Sequence, residues 1–95
     1  MNKVFTENGW KDYIYWQTED RKTLKKINHL LDDISRNGNT GIGKPEPLVG
    51  NLSGFWSRRI NDTDRLVYRI DENNYMSILL DYTIKYPLRY KESRT

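Results

Sequence analysis

The chain has 95 residues, with 16 Lys and Arg against 13 Asp and Glu, one His and no Cys. That length suits one domain and excludes a doubly wound cofactor domain joined to a second one, while the absent Cys and the single His exclude disulfide staples, Cys-ligated zinc, thiol catalysis and a multi-His metal centre. The net charge of +3 is unevenly spread: residues 1–84 hold twelve cations and twelve carboxylates, so the excess lies in 85–95, where Lys85, Arg89, Lys91 and Arg94 accompany one acid, Glu92, and any RNA contact must come from a local cluster rather than a uniformly basic surface.

Residues 3–5 are a short extended candidate. Thr6 is a helix cap, because its hydroxyl can accept from free N–H groups of the first turn. A helix over 7–18 follows, with Trp10, Tyr13, Ile14 and Trp16 spread over more than one face, as in a helix packed on two sides. Asp20 caps a second helix whose apolar stripe, Leu24, Ile27, Leu30, Leu31 and Ile34, recurs at steps of three and four. Asn37-Gly38 ends it, since Gly takes the left-handed position beyond a helix C-terminus without strain. The lone His29 falls on this helix between core positions and reads as a surface or packing residue.

Residues 38–50, GNTGIGKPEPLVG, form a loop, and Pro45 and Pro47 stiffen the Glu46 between them. The GIGK within it is not a nucleotide-phosphate loop, because the strand-to-helix context and the Lys-Ser/Thr ending are missing. The period then changes to two, and strands are expected over 54–60, 65–70 and 75–82 with turn-rich connectors between them. In the first, Phe55, Ser57 and Arg59 alternate with Trp56, Arg58 and Ile60. In the second, Leu66, Tyr68 and Ile70 should face the helices and leave Arg65 and Arg69 on the opposite face. The third is the most apolar and should be central or covered. No apolar run approaches the ~18 residues that span a bilayer, and the N-terminus does not read as a signal peptide, so a soluble cytoplasmic protein without membrane contact is the expectation.

Two helices before an antiparallel sheet make an α+β layer. Its polar face carries Arg59, Arg65 and Arg69, and the stiff loop brings Lys44 and Glu46 alongside. One carboxylate among several cations suits cleavage of RNA by its own 2′-OH. That chemistry needs a base for the hydroxyl proton, cations for the charge that grows on phosphorus, and an acid for the leaving 5′-oxygen. Glu46 suits the base and Arg65 and Arg59 the clamp. Arg58 competes with Arg59, because strand alternation lets only one of two neighbours face the site.

The stretches GIGKPEPL (41–48), NLSGFWSRRI (51–60) and DRLVYRI (64–70), with WKDYIYWQTEDRKTLKKIN (10–28), resemble the YoeB toxins of the Txe/YoeB family over roughly residues 3–80. The resemblance implies a RelE-like microbial ribonuclease fold of two N-terminal helices on a twisted antiparallel sheet. It implies a single domain over 1–84 with an atypical basic tail over 85–95. It also implies the toxin of a type II toxin–antitoxin system, a ribosome-dependent endoribonuclease that cuts mRNA and inhibits translation. By motif, Glu46 matches the general base and Arg65 the transition-state arginine, with Arg59 and Lys44 as supporting cations. Arg58, Arg69 and Tyr82 complete the expected RNA contacts. No metal or cofactor is expected. The implied partners are mRNA on the ribosome and a YefM-type antitoxin, with DNA reached only through the antitoxin complex, and the helix aromatics offer a homodimer face. The C-terminus departs from the family: Thr83 and Ile84 stand where relatives carry a His-Tyr pair, and Val49 stands where many carry Lys. Thr83 cannot replace a histidine acid, since an alcohol does not ionise near neutrality. Hence the alternative expectation, a catalytically impaired module that binds antitoxin or ribosome without efficient cleavage.

Overall fold

The computed structural model describes residues 2–71 and the backbone of 75–78. The elements in chain order are β1 (Asn2–Phe5), α1 (Glu7–Glu19), α2 (Arg21–Asn37), β2 (Glu46–Pro47), a 3-10 turn (Gly50–Leu52), β3 (Trp56–Arg59), β4 (Arg65–Ile70) and β5 (Tyr75–Ile78). Both helix starts are capped as read. The Thr6 hydroxyl accepts from the Gly9 N–H at 2.9 Å, and the Asp20 carboxylate accepts from the N–H groups of Lys22 and Thr23. Gly38 closes α2 with φ at +66°.

The five strands lie in the order β1-β5-β4-β3-β2. The inner pairs are antiparallel, but β1 runs parallel to β5, so the sheet is mixed where a wholly antiparallel one was expected. The reason is topological: a parallel pair needs a crossover, and the α1–α2 hairpin that follows β1 supplies one. The predicted strand over 54–60 is shorter, Trp56–Arg59, and the one over 65–70 matches β4. The loop over 38–50 contains a piece of edge strand, because Glu46 and Pro47 pair with Ser57 and Trp56. Two prolines are tolerated there because an edge strand leaves one row of N–H groups unneeded. The continuation of the third predicted strand beyond Ile78, Tyr82, and the tail over 85–95 lie outside the described residues.

The core lies between the helices and one sheet face. The α2 stripe Ile27, Leu30, Leu31 and Ile34 packs with Ile60, Leu66 and Tyr68, all buried, and Phe5, Tyr13, Trp16, Trp56 and Ile70 close around them. Each fully buried aliphatic chain contributes roughly 1.5–3 kcal/mol relative to exposure. Trp10, Ile14 and Tyr15 of α1 stay close to half exposed, so among the described residues α1 is not enclosed on both sides as its aromatic spread suggested. A second, smaller cluster of Leu48, Leu52 and Val67, with Phe55 against it, lies on the other sheet face. Among the described residues no helix is long and apolar enough to cross a membrane.

Candidate functional site

The outer sheet face is assembled by register. Residues directly opposite one another in neighbouring strands share a face. Glu46 is paired with Ser57, Ser57 with Val67, and Arg59 with Arg65. These five residues therefore stand on one surface across three strands. With strands about 4.8 Å apart and about 3.3 Å of rise per residue, the Glu46 backbone is about 8 Å from that of Arg59 and about 12 Å from that of Arg65. Side chains reaching inward over such a span leave room for a phosphodiester. The floor is buried: Ser57 and Val67 are enclosed, as are Leu48 and Leu52 beside them.

The electrostatics of this face favour an anion. Arg59 and Arg65 are directly opposed, and like charges in that position repel. Arg59 is exposed and makes no ion pair within 4 Å among the described residues, whereas Arg65 and Glu46 are half-buried. Arg69 lies on the same face, four residues from Arg65 and so about 13 Å along the strand. Its guanidinium sits over the Phe55 ring, 5.2 Å from the centroid, an arrangement that favours a cation on an aromatic face. It is peripheral to the Glu46, Arg59 and Arg65 group.

Arg58 is elsewhere, and the expectation that it contacts RNA is corrected. Its side chain is fully buried on the helix-facing side of β3. All five of its N–H donors are engaged. Nε donates to the Tyr68 hydroxyl (3.2 Å), Nη1 to the Asp33 carboxylate and the Ile42 carbonyl (3.0 Å), and Nη2 to the carbonyls of Gly38 (2.7 Å) and Thr40 (2.8 Å). The physical reason is parity: Trp56, Arg58 and Ile60 point inward together. Asp33 in turn accepts from the Ile42 N–H and the Asn37 amide. The Arg58 hydrogen bond, aided by those donors, holds the Asp33 carboxyl below its ordinary 3.8. Burial pushes the Tyr68 hydroxyl above its ordinary 10.0.

This buried pair fixes the course of 38–43, which delivers the chain to Glu46. The Gly43 carbonyl accepts from the Arg59 N–H at 2.7 Å, and the Leu48 N–H donates to the Phe55 carbonyl at 2.9 Å, so Glu46 is held from both sides. Gly43, at φ +79°, has no room for a side chain: an added Cβ would lie 2.7 Å from Leu30 Cδ2. Lys44 follows with φ +52°, the only non-glycine in the left-handed region among the described residues. An L-residue held there carries about 1–2 kcal/mol of strain, which persists only where the surroundings impose it. Lys44 is exposed at the rim. Asp33 was missed in the sequence. Its signal was an arginine at an inward strand position, which must find a carboxylate.

Two helices packed on a mixed sheet make a RelE-like fold, shared with solved YafQ and RelE toxins. A family described as "YoeB-like toxin of bacterial type II toxin-antitoxin system" matches residues 5–84. The chain belongs to this family. It is 50% identical over 82 residues to the toxin YoeB of Streptomyces coelicolor, covering 86% of this chain and 98% of that protein. It is similar to the Staphylococcus aureus YoeB solved in a heterotetrameric YoeB–YefM toxin–antitoxin complex, with 51% identity, 82% and 90% coverage and a TM-score of 0.77. The S. aureus YoeB solved as a dimer gives the same identity and coverage, with a TM-score of 0.76.

Proposed function

We propose that this toxin is a ribosome-dependent endoribonuclease that cuts mRNA by attack of its own 2′-OH. The observation that carries the reading is the register that puts Glu46, Arg59 and Arg65 on one sheet face, over a buried floor. Glu46 takes the 2′-OH proton as the oxygen attacks the adjacent phosphorus. The bond to the 5′-oxygen breaks, leaving a 2′,3′-cyclic phosphate and a 5′-hydroxyl. Arg65 and Arg59 hold the non-bridging oxygens, whose charge grows toward the transition state, and there their attraction is strongest. Lys44 at the loop rim and Arg69 farther along β4 add cations at the margins of the site. Arginine stays protonated in proteins and cannot donate the leaving-group proton. With Thr83 in place of the family's histidine, we assign that proton to water or to Tyr82. The cut is then slower, by about 10²–10⁴-fold, than with a well-placed donor.

A YefM-type antitoxin is the proposed partner, supported by the complexes of the S. aureus relative. Its acidic segment would occupy the arginine face, DNA would be reached only through that complex, and the setting would be cytoplasmic. A homodimer through the α1 aromatics is proposed on the exposure of Trp10, Ile14 and Tyr15. The Thr83-Ile84 ending favours one second reading, a module that binds antitoxin or ribosome without efficient cutting.

In vitro translation scored for truncated mRNA separates the two. Glu46→Gln should lower cleavage by about 10²–10⁴-fold while antitoxin and ribosome binding persist. Arg65→Ala should lower cleavage similarly and weaken RNA binding as well. Unchanged cleavage in Glu46→Gln would remove Glu46 from the mechanism. A parent that cuts nothing on programmed ribosomes leaves the binding module.

A further inference from the structure

The first half of α2 carries charge that the fold does not use. Arg21, Lys22, Lys25 and Lys26 are four of the twelve cations in residues 1–84, and no acid occurs between 21 and 31. None of the four makes an ion pair within 4 Å among the described residues. Their placement is against the helix. The first turn of a helix favours negative charge, yet α2 has no acid there, and the nearest carboxylate is the capping Asp20, which the Lys22 charge stabilises as an anion. Arg21 with Lys25, and Lys22 with Lys26, are like-charge pairs four residues apart, an arrangement that destabilises a helix. Apart from that Lys22–Asp20 attraction, the fold offers these cations no ion pair among the described residues, and local rules broken in this way point to a function outside it.

The same residues line two open grooves. One, of about 320 Å³, is bounded by Lys22, Lys25, Lys26, His29 and Ile42. The other, of about 380 Å³, is bounded by Gln17, Arg21, Leu24, Lys25 and Asn28. Lys25 stands between them, so the grooves form one basic track across the helix. One wall is fixed to the candidate active site: Ile42 is anchored through its carbonyl to Arg58 and through its N–H to Asp33, two residues before Lys44. Its side chain is exposed, an apolar contact at the edge of a cationic channel.

We propose that this track is a second nucleic-acid surface, which holds an RNA sugar–phosphate backbone outside the segment being cut. The occupant rests on the reading that the toxin acts on RNA. Spaced lysines with an apolar edge fit a backbone of repeating phosphates and sugars, read by charge and not by base.

The test uses the full chain carrying Glu46→Gln, so that the probe stays intact, and a labelled oligouridine as that probe. Lys22→Gln, Lys25→Gln and Lys26→Gln together should reduce the slope of log affinity against log salt by about 2, since each phosphate of a single strand that is no longer neutralised lowers it by about 0.7. The thermal midpoint should hold or rise, because the repulsive pairs are gone. Arg36→Gln, which opens the exposed pair with Asp32, should leave the slope unchanged. An unaltered slope in the triple variant overturns the proposal. So does a variant that loses binding to polyglutamate while its RNA slope is unchanged, since the surface then serves an acidic protein. A parent that binds oligouridine in this lysine-dependent way but cuts no mRNA would sink the cleavage reading and leave this surface standing.

Discussion

Arg58 and Arg59 are neighbours of the same type on the same strand, and the sheet gives them opposite roles. Arg58 points to the helices, has no exposed surface, and spends every N–H on acceptors within the chain. Arg59 points away, is exposed, and stands opposite another arginine. The inner guanidinium is satisfied by the fold itself, and the outer one, Arg59, makes no ion pair within 4 Å among the described residues. A one-residue slip of register would exchange the two, so the pairing of β3 with β4 is part of the site. The inner arginine also serves the outer face, because the loop it holds carries Lys44 and Glu46.

The largest effect should come from breaking the inner arginine. Arg58→Ala leaves Asp33, Tyr68 and three carbonyls without their donor, and loss of one member of a buried ion pair costs about 3–5 kcal/mol. In a domain of this size that approaches the whole stability. Urea unfolding followed by tryptophan fluorescence should show a greatly lowered midpoint. A loss below about 1 kcal/mol would mean that Arg58 does not organise the loop.

Gly43→Ala should come next. The added methyl meets Leu30 Cδ2 at 2.7 Å and Arg58 Cβ at 3.2 Å, in a backbone conformation that alanine resists. Strain and overpacking together should cost about 2–3 kcal/mol, and cleavage should fall because Glu46 moves with the loop. Gly54→Ala is the control. It also has positive φ, +95°, but open space around the new atom, so it should cost only about 1 kcal/mol. Equal midpoints for the two variants would refute the close-packing account.

Arg59→Ala should barely touch stability, within about 0.5 kcal/mol, because it removes an exposed side chain that makes no ion pair within 4 Å among the described residues. Its cleavage should drop by about 10²-fold or more if it steadies charge in the transition state. Arg58→Ala and Arg59→Ala thus sort stability from chemistry in adjacent positions. Comparable destabilisation by both would erase the distinction.

Much of this was legible in the sequence, and for identifiable reasons. Helix caps at Thr6 and Asp20, the α2 stripe from Ile27 to Ile34 and the inward set Leu66, Tyr68 and Ile70 are local patterns, and each reappears in the structure, whereas Leu24, expected on the same stripe, stays outside the core cluster and borders an open groove. The parallel pairing of β1 was not legible, because it joins residues some seventy positions apart and depends on how the helix hairpin crosses. The short strand at Glu46-Pro47 was hidden by its prolines, which read as loop until an edge partner is known. Alternation reduced Arg58 and Arg59 to one outward residue. It did not say what an inward arginine would bind, and Asp33 therefore went unseen.

The subtlest expected effect is in acid. Asp33 has its carboxyl pKa lowered in the folded chain, first by the Arg58 hydrogen bond. The folded state thus binds this proton less readily than the unfolded one, and the linked stability is complete above the ordinary value of 3.8 and lost as pH falls through the lower folded value. Protonation also removes the charge that faces a buried guanidinium, so the 38–43 loop should loosen as global stability declines. Hydrogen exchange at the Ile42 N–H, which donates to Asp33, should accelerate relative to core amides such as that of Leu66 on acidification below 3.8. Asp33→Asn should be destabilised at neutral pH and show a shallower acid decline. If Asp33→Asn retained the parent's full pH dependence, the decline would belong to other carboxylates, Asp20 first among them, since its cap bonds to Thr23 lower its pKa in the same direction.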